Sequence, residues 1–223
     1  MVDDPKKYSW FYRNSLTIVF LTLFIGTLIA QAVTGHKELN EEIVDKGGKE
    51  ISFRLYLKSG HFLSSTFENF QSEFLQMGMY VLLTVFLRQI GSAESKGMEG
   101  EEDVDRKPKP HKNAPWAVKK GGLTLRLFSS SLSIAFFLLF LLSWVGHLYG
   151  SWQDHNLMQV LDHKPEDSLV AFLAEPTFWF ETFQNWQSEF LSVASIVYLT
   201  IYLRQKGSPE SKPVDAPNME TGK

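Results

Sequence analysis

A chain of 223 residues with a formal net charge of -3 has no overall basic field, which excludes nucleic acid as its principal partner. It contains no cysteine, so disulfides, thiolate metal sites and cysteine nucleophiles are excluded together. Its mean hydropathy of -0.12 would suit a soluble protein, but its apolar residues, eighteen Phe among them, are gathered into a few segments separated by highly charged ones.

In chain order, Lys6, Lys7 and Arg13 precede an uncharged run over 16–33, at the lower end of what spans a bilayer. Ala30-Gln31-Ala32 is shaped like a signal-peptide cleavage site. Leu16-Thr17-Ile18-Val19-Phe20 recurs internally as Leu132-Ser133-Ile134-Ala135-Phe136, however, so residues 16–34 read as a retained helix. Residues 36–60 form a charged excursion that turns at Asp45-Lys46-Gly47-Gly48-Lys49. There Ile51, Phe53, Leu55 and Leu57 alternate with Ser52, Arg54, Tyr56 and Lys58, a period of two that predicts a short strand or an interfacial strip. A second span over 62–88 is polar in its first half. Residues 97–122 pass from an acidic block to a basic one with three prolines, the composition of a mobile linker. A third span covers 127–147, an acidic loop leads through Pro176 to a fourth over 178–204, and residues 213–223 read as a disordered tail.

The second half repeats the first at a constant offset of 116 residues. Asn69-Phe70-Gln71-Ser72-Glu73-Phe74-Leu75 returns as Asn185-Trp186-Gln187-Ser188-Glu189-Phe190-Leu191, and 18 of 30 positions are identical between 67–96 and 183–212. The expected fold is therefore an all-α integral membrane protein with four transmembrane helices, built from two tandem, parallel two-helix repeats over 1–96 and 123–212. Sixteen Lys and Arg lie in the N-terminal segment, the 88–126 region and the tail, against six in the loops 36–61 and 147–177. The positive-inside rule then makes both termini cytoplasmic in a multi-pass protein of the inner (plasma) membrane.

Counting back from Arg88 and Arg204 as cytoplasmic edges places Glu73 and Glu189 about five residues, or roughly 8 Å, inside the outer boundary. Asn69, Gln71, Ser72 and Glu73, with Asn185, Gln187, Ser188 and Glu189, form the candidate intramembrane polar site. At 100° per residue most of them lie opposite the face of Phe67, Phe70, Phe74 and Met77 and should face the bundle interior. Three uses compete. The first is interhelical hydrogen bonding in a non-enzymatic membrane module, its partners being the bilayer and a second copy or another membrane protein. The second is a cation or proton pathway using the two glutamates. The third is a metal- or haem-binding enzyme recruiting His36, His61, His147 or His155, although no histidine pair has a tight ligand spacing. No cofactor is expected, since nucleotide loops, a Ser-His-Asp order and His-Glu-x-x-His are all missing.

Lesser features include Gly26-x-x-x-Ala30 and Gly146-x-x-x-Gly150 as close-packing pairs. Trp10, Trp116, Trp144, Trp152 and Trp179 read as interfacial anchors. Arg88, Gln89, Arg204 and Gln205 mark the cytoplasmic helix ends, as snorkelling stops. The repeated Gly-Ser-x-Glu-Ser-Lys at 91–96 and 207–212 either caps those helices through Gly91 and Gly207 or docks the linker. The Gln-Ser-Glu-Phe-Leu run, followed by Leu-Arg-Gln-Lys-Gly-Ser-Pro-Glu-Ser-Lys-Pro at 203–213, resembles a family of small bacterial multi-spanning membrane proteins with no assigned function. The resemblance implies a bacterial membrane protein and supplies no reaction. The first copy departs from it with Ile90 and Ala93, where the second has Lys206 and Pro209.

Overall fold

The computed structural model describes residues 7–222; Lys6 of the basic flank and Lys223 of the expected tail lie outside the described residues. Among the described residues every regular element is helical. The helices are α1 (Trp10–Arg13), α2 (Ser15–Asp45), α3 (Phe53–Tyr56), α4 (Gly60–Phe86), α5 (Trp116–Lys120), α6 (Gly122–Ser129), α7 (Ser131–Leu161), α8 (Leu169–Phe172) and α9 (Pro176–Tyr202). The bounds of α2, α3 and α4 recur in α7, α8 and α9 at the same 116-residue offset. Even the interruptions match: Asn14 before α2 and Ser130 before α7 hold φ of -117° and -118°.

At 31 residues each, α2 and α7 are about 46 Å long, well beyond a hydrocarbon core of about 30 Å. The charged residues that end the apolar runs do not end the helices, because Lys, Glu, Leu and Gln are good helix formers. The expected excursion over 36–60 therefore begins as about three further turns of α2. Among the described residues only α2 and α7 are long and apolar enough to cross a membrane, and 6% and 11% of their most apolar stretches are buried. Helices at the centre of a soluble core would be mostly buried. In α4 and α9 the polar first halves dilute the apolar character.

The chain forms two compact units, described separately here: residues up to Ser65 with Tyr149–Phe172, and Thr66–Leu148 with residues from Leu173 onward. In the first, Leu39, Ile43 and Tyr56 make a small core against Ile51, Phe62, Leu157, Met158 and Leu161. Asn40 clamps Ile51 by accepting its N–H at 2.7 Å and donating to its carbonyl at 3.1 Å. Asn156 clamps Asp167 in the same way, at 2.8 and 3.1 Å. His36 and Trp152, again equivalent by offset, reach the same two carbonyls at 2.8 Å each. These clamps explain why the alternating segment is not a strand. Its backbone is held at Ile51 by side chains, and Ser52 then caps the single helical turn of α3 by accepting from Leu55 N–H.

In the second unit, Gly146 packs so tightly that a Cβ there would sit 2.8 Å from the Phe67 ring. In the first, Gly150 meets the backbone at Leu63 and Ser64. Gly26 has nothing within 4 Å of such a position, so the expected close contact at Gly26-x-x-x-Ala30 is not made. Trp10 and Trp116 are exposed as anchors should be, whereas Trp144 packs on Phe178 and Trp179.

Both copies of Gly-Ser-x-Glu-Ser-Lys make one small knot in the second unit. Gly91 and Gly207 take φ of 81° and 86°, the left-handed region that glycine reaches without strain. Ser95 accepts from Gln89 N–H, and Ser211 from Gln205 N–H, at 2.9 Å each. Arg88 and Arg204 fold back and donate to the last carbonyls of α4 and α9, such as those of Val85 and Ile201. They close the helix ends in addition to any snorkelling. The lysines then diverge. Lys96 pairs with Asp105 in the linker at 2.6 Å. Lys212 is 2% exposed and donates to the carbonyls of Gly91, Pro217, Asn218 and Glu220. Thr221 and Gly222 bond to Gly91 and Ser92, so the tail expected to be disordered follows a defined path.

Candidate functional site

The polar residues singled out by the repeat do not behave alike. Gln71 and Ser72 are buried, while Asn69 and Glu73 are exposed. In α9, Asn185 and Glu189 are half-buried, and Gln187 and Ser188 are exposed. Trp186 Nε1 donates to Gln71 Oε1 at 2.7 Å. Gln76 donates to Ser192 Oγ at 2.7 Å and to the Glu189 carbonyl at 3.2 Å, thereby linking two positions that are equivalent by the repeat offset. Ser72 returns its hydroxyl to the Asn69 carbonyl of its own helix at 2.8 Å. Glu73 lies within electrostatic reach of Glu189. The amides thus bond across α4 and α9, and the two glutamates sit at the margin of that contact.

One residue pair toward the N-terminal ends of α4 and α9, a different set of acids converges. Oxygens of Glu68 and Glu181 and a ring nitrogen of His147 all lie within 4.8 Å of one another, the only such trio among the described residues. His147 is wholly buried, its ring 5.0 Å from that of Phe178, and neither ring nitrogen makes a hydrogen bond. Its Nε2 stands 4.0 Å from Glu181 Oε2. Asn185 donates to the Glu68 carboxylate and, at 2.9 Å, to the Glu181 backbone carbonyl, so its side chain orients Glu68. Gly146 brings Phe67 against α7, which in turn sets Glu68 beside His147 in register.

With this geometry in place, a family model described as a domain of unknown function (DUF6766) matches residues 7–223. The chain belongs to that family. No curated protein and no solved structure matches it.

Three other histidines of this DUF6766 chain have structural duties. His36 serves the Ile51 clamp, His61 Nδ1 lies 3.4 Å from the Tyr56 hydroxyl, and His155 bonds Asp167 at 2.8 Å. Beyond the apolar stretch of α7, Asp154 is enclosed with one carboxylate oxygen lacking any hydrogen bond. Burial, reinforced by Glu42 and Glu38 and opposed by His61 and His155, pushes its pKa up to about 6. Burial also raises Tyr56 to about 12.

The repeat does not single out Glu68 and Glu181, because it preserves neither. The signal lay in what it changes: Glu68, His147 and Glu181 stand where the other copy has Gln184, Gln31 and Ser65.

Proposed function

We propose that this protein is a multi-pass module of the plasma membrane, made of two tandem two-helix hairpins with both termini and residues 97–122 on the cytoplasmic side. It has no enzymatic role in this reading. Its polar residues hold the second and fourth spans together and leave a lipid-facing surface for a second copy or another membrane protein. The reading is supported above all by Gln76, which directs its amide at Ser192 and Glu189 of the opposite helix. In hydrocarbon, a side-chain amide has no water to turn to, and interhelical bonds of this kind contribute about 0.6–1.7 kcal/mol each. The largely unburied apolar stretches of α2 and α7 give a second support, since only lipid or a partner covers them without penalty.

Cysteine labelling tests the arrangement. A Lys107→Cys variant should react with an impermeant maleimide only after the cells are opened, and Lys164→Cys should react in intact cells. Labelling of Lys107→Cys from outside, or extraction of the protein by alkaline carbonate, would overturn the proposal.

A further inference from the structure

We infer that Glu68, His147 and Glu181 form a binding site for one divalent first-row transition-metal ion, of the class of Zn²⁺, Fe²⁺ or Mn²⁺. The first observation is His147 itself. A fully buried imidazole with both nitrogens unbonded loses the hydrogen bonds it had in water, a loss native proteins rarely leave uncompensated. The nearest charged acceptor, Glu181, is 4.0 Å away, too far to compensate it. An ion beside the ring gives a His147 nitrogen the partner it lacks.

The second observation is the internal control that the repeat supplies. At the positions of His147 and Glu181 the first half carries Gln31 and Ser65, and these bond directly, Gln31 Nε2 donating to Ser65 Oγ at 3.0 Å. The same pair of register positions thus closes on itself in one half and stays open in the other. The residues that keep it open are metal-ligating types, joined by Glu68 where the repeat has Gln184.

The donor set selects the ion. Two carboxylates balance a 2+ charge, which matters where the dielectric is low, and one imidazole favours transition ions over Mg²⁺ or Ca²⁺, which take oxygen shells. Ligands about 2.1 Å from a tetrahedral ion are about 3.4 Å apart. From the present limit of 4.8 Å the donors therefore need to close by at most roughly 1.4 Å. Asn185, which holds the Glu68 carboxylate, is an outer partner orienting a ligand. Three protein ligands leave at least one coordination position for water or another small molecule.

The test uses the full chain, purified in detergent, stripped with a chelator and titrated with Co²⁺. Its visible absorption reports inner-sphere ligands. Saturation at one Co²⁺ per chain, reversed by Zn²⁺, is expected. The double variant His147→Gln with Glu181→Ser, which installs the first half's own pair, should bind at least tenfold more weakly. Glu68→Gln should do the same while keeping an acceptor for Asn185, and it decides the matter if the double variant does not fold. A wild-type chain without a saturable one-to-one signal would sink the site, as would a folded variant that binds Co²⁺ like the wild type.

Discussion

Lys212 offers the most direct test of how the repeated Gly-Ser-x-Glu-Ser-Lys is used. Lys212 is 2% exposed and its ammonium faces four backbone carbonyls at 2.5–3.2 Å, three of them in residues 217–220. A hydrogen bond from a charged donor contributes about 1.5–3 kcal/mol to stability after its desolvation is counted. Burial lowers the Lys212 pKa. The tail carbonyls share this one ammonium, so the attachment of the tail is about 2–3 kcal/mol. Lys212→Met keeps the aliphatic stem and removes the charge, so the tail should lift while the helices stay folded. Hydrogen exchange read by mass spectrometry should show residues 217–222 exchanging about 30–160-fold faster, the rate equivalent of that free energy. Lys96→Met is the matched control, because Lys96 bonds Asp105 instead and should loosen only the linker side. Unchanged protection of 217–222 in Lys212→Met would refute the carbonyl cage as the tail's anchor.

Two further predictions concern packing and pH. Gly146→Ala should destabilise the folded protein by about 1–3 kcal/mol, because its Cβ would press on Phe67 at 2.8 Å, whereas Gly26→Ala, in open surroundings, should be neutral or stabilise by up to about 1 kcal/mol. Thermal unfolding in detergent separates the two, and equal effects would contradict the packing described. For Asp154 the folded pKa of about 6 lies above its ordinary 3.8. The protonated form is thus the one the fold favours, and stability is fully present below pH 3.8 and lost as pH rises through about 6. Asp154→Asn should therefore stabilise by about 3 kcal/mol at pH 8, with the gain vanishing near pH 4. A gain independent of pH would mean that the carboxylate's charge is not the cause.

The sequence was most legible where its signals were local or repeated. Apolar runs located α2, α4, α7 and α9, and the 116-residue offset foretold that their bounds would match. It was least legible where side chains overrode pattern. Ile51 to Lys58 alternates like a strand but is held by Asn40 and His36 and capped by Ser52, contacts that a period of two does not encode. The end of an apolar run at residue 34 likewise did not end the helix, because charge affects partition into lipid far more than it affects helix formation.

By itself, then, the sequence determined four long helices, the internal duplication and the apolar lengths of the segments, since these follow from composition and period along one dimension. The tertiary structure alone decided which acids converge. Glu73 and Glu189, preserved in both copies, lie at the margin of the α4–α9 contact, while Glu68 and Glu181, altered between copies, converge on a buried His147. The physical reason is that convergence depends on how far each helix is rotated against its neighbour. That rotation is set by close approaches such as Gly146 on Phe67, between residues far apart in the chain.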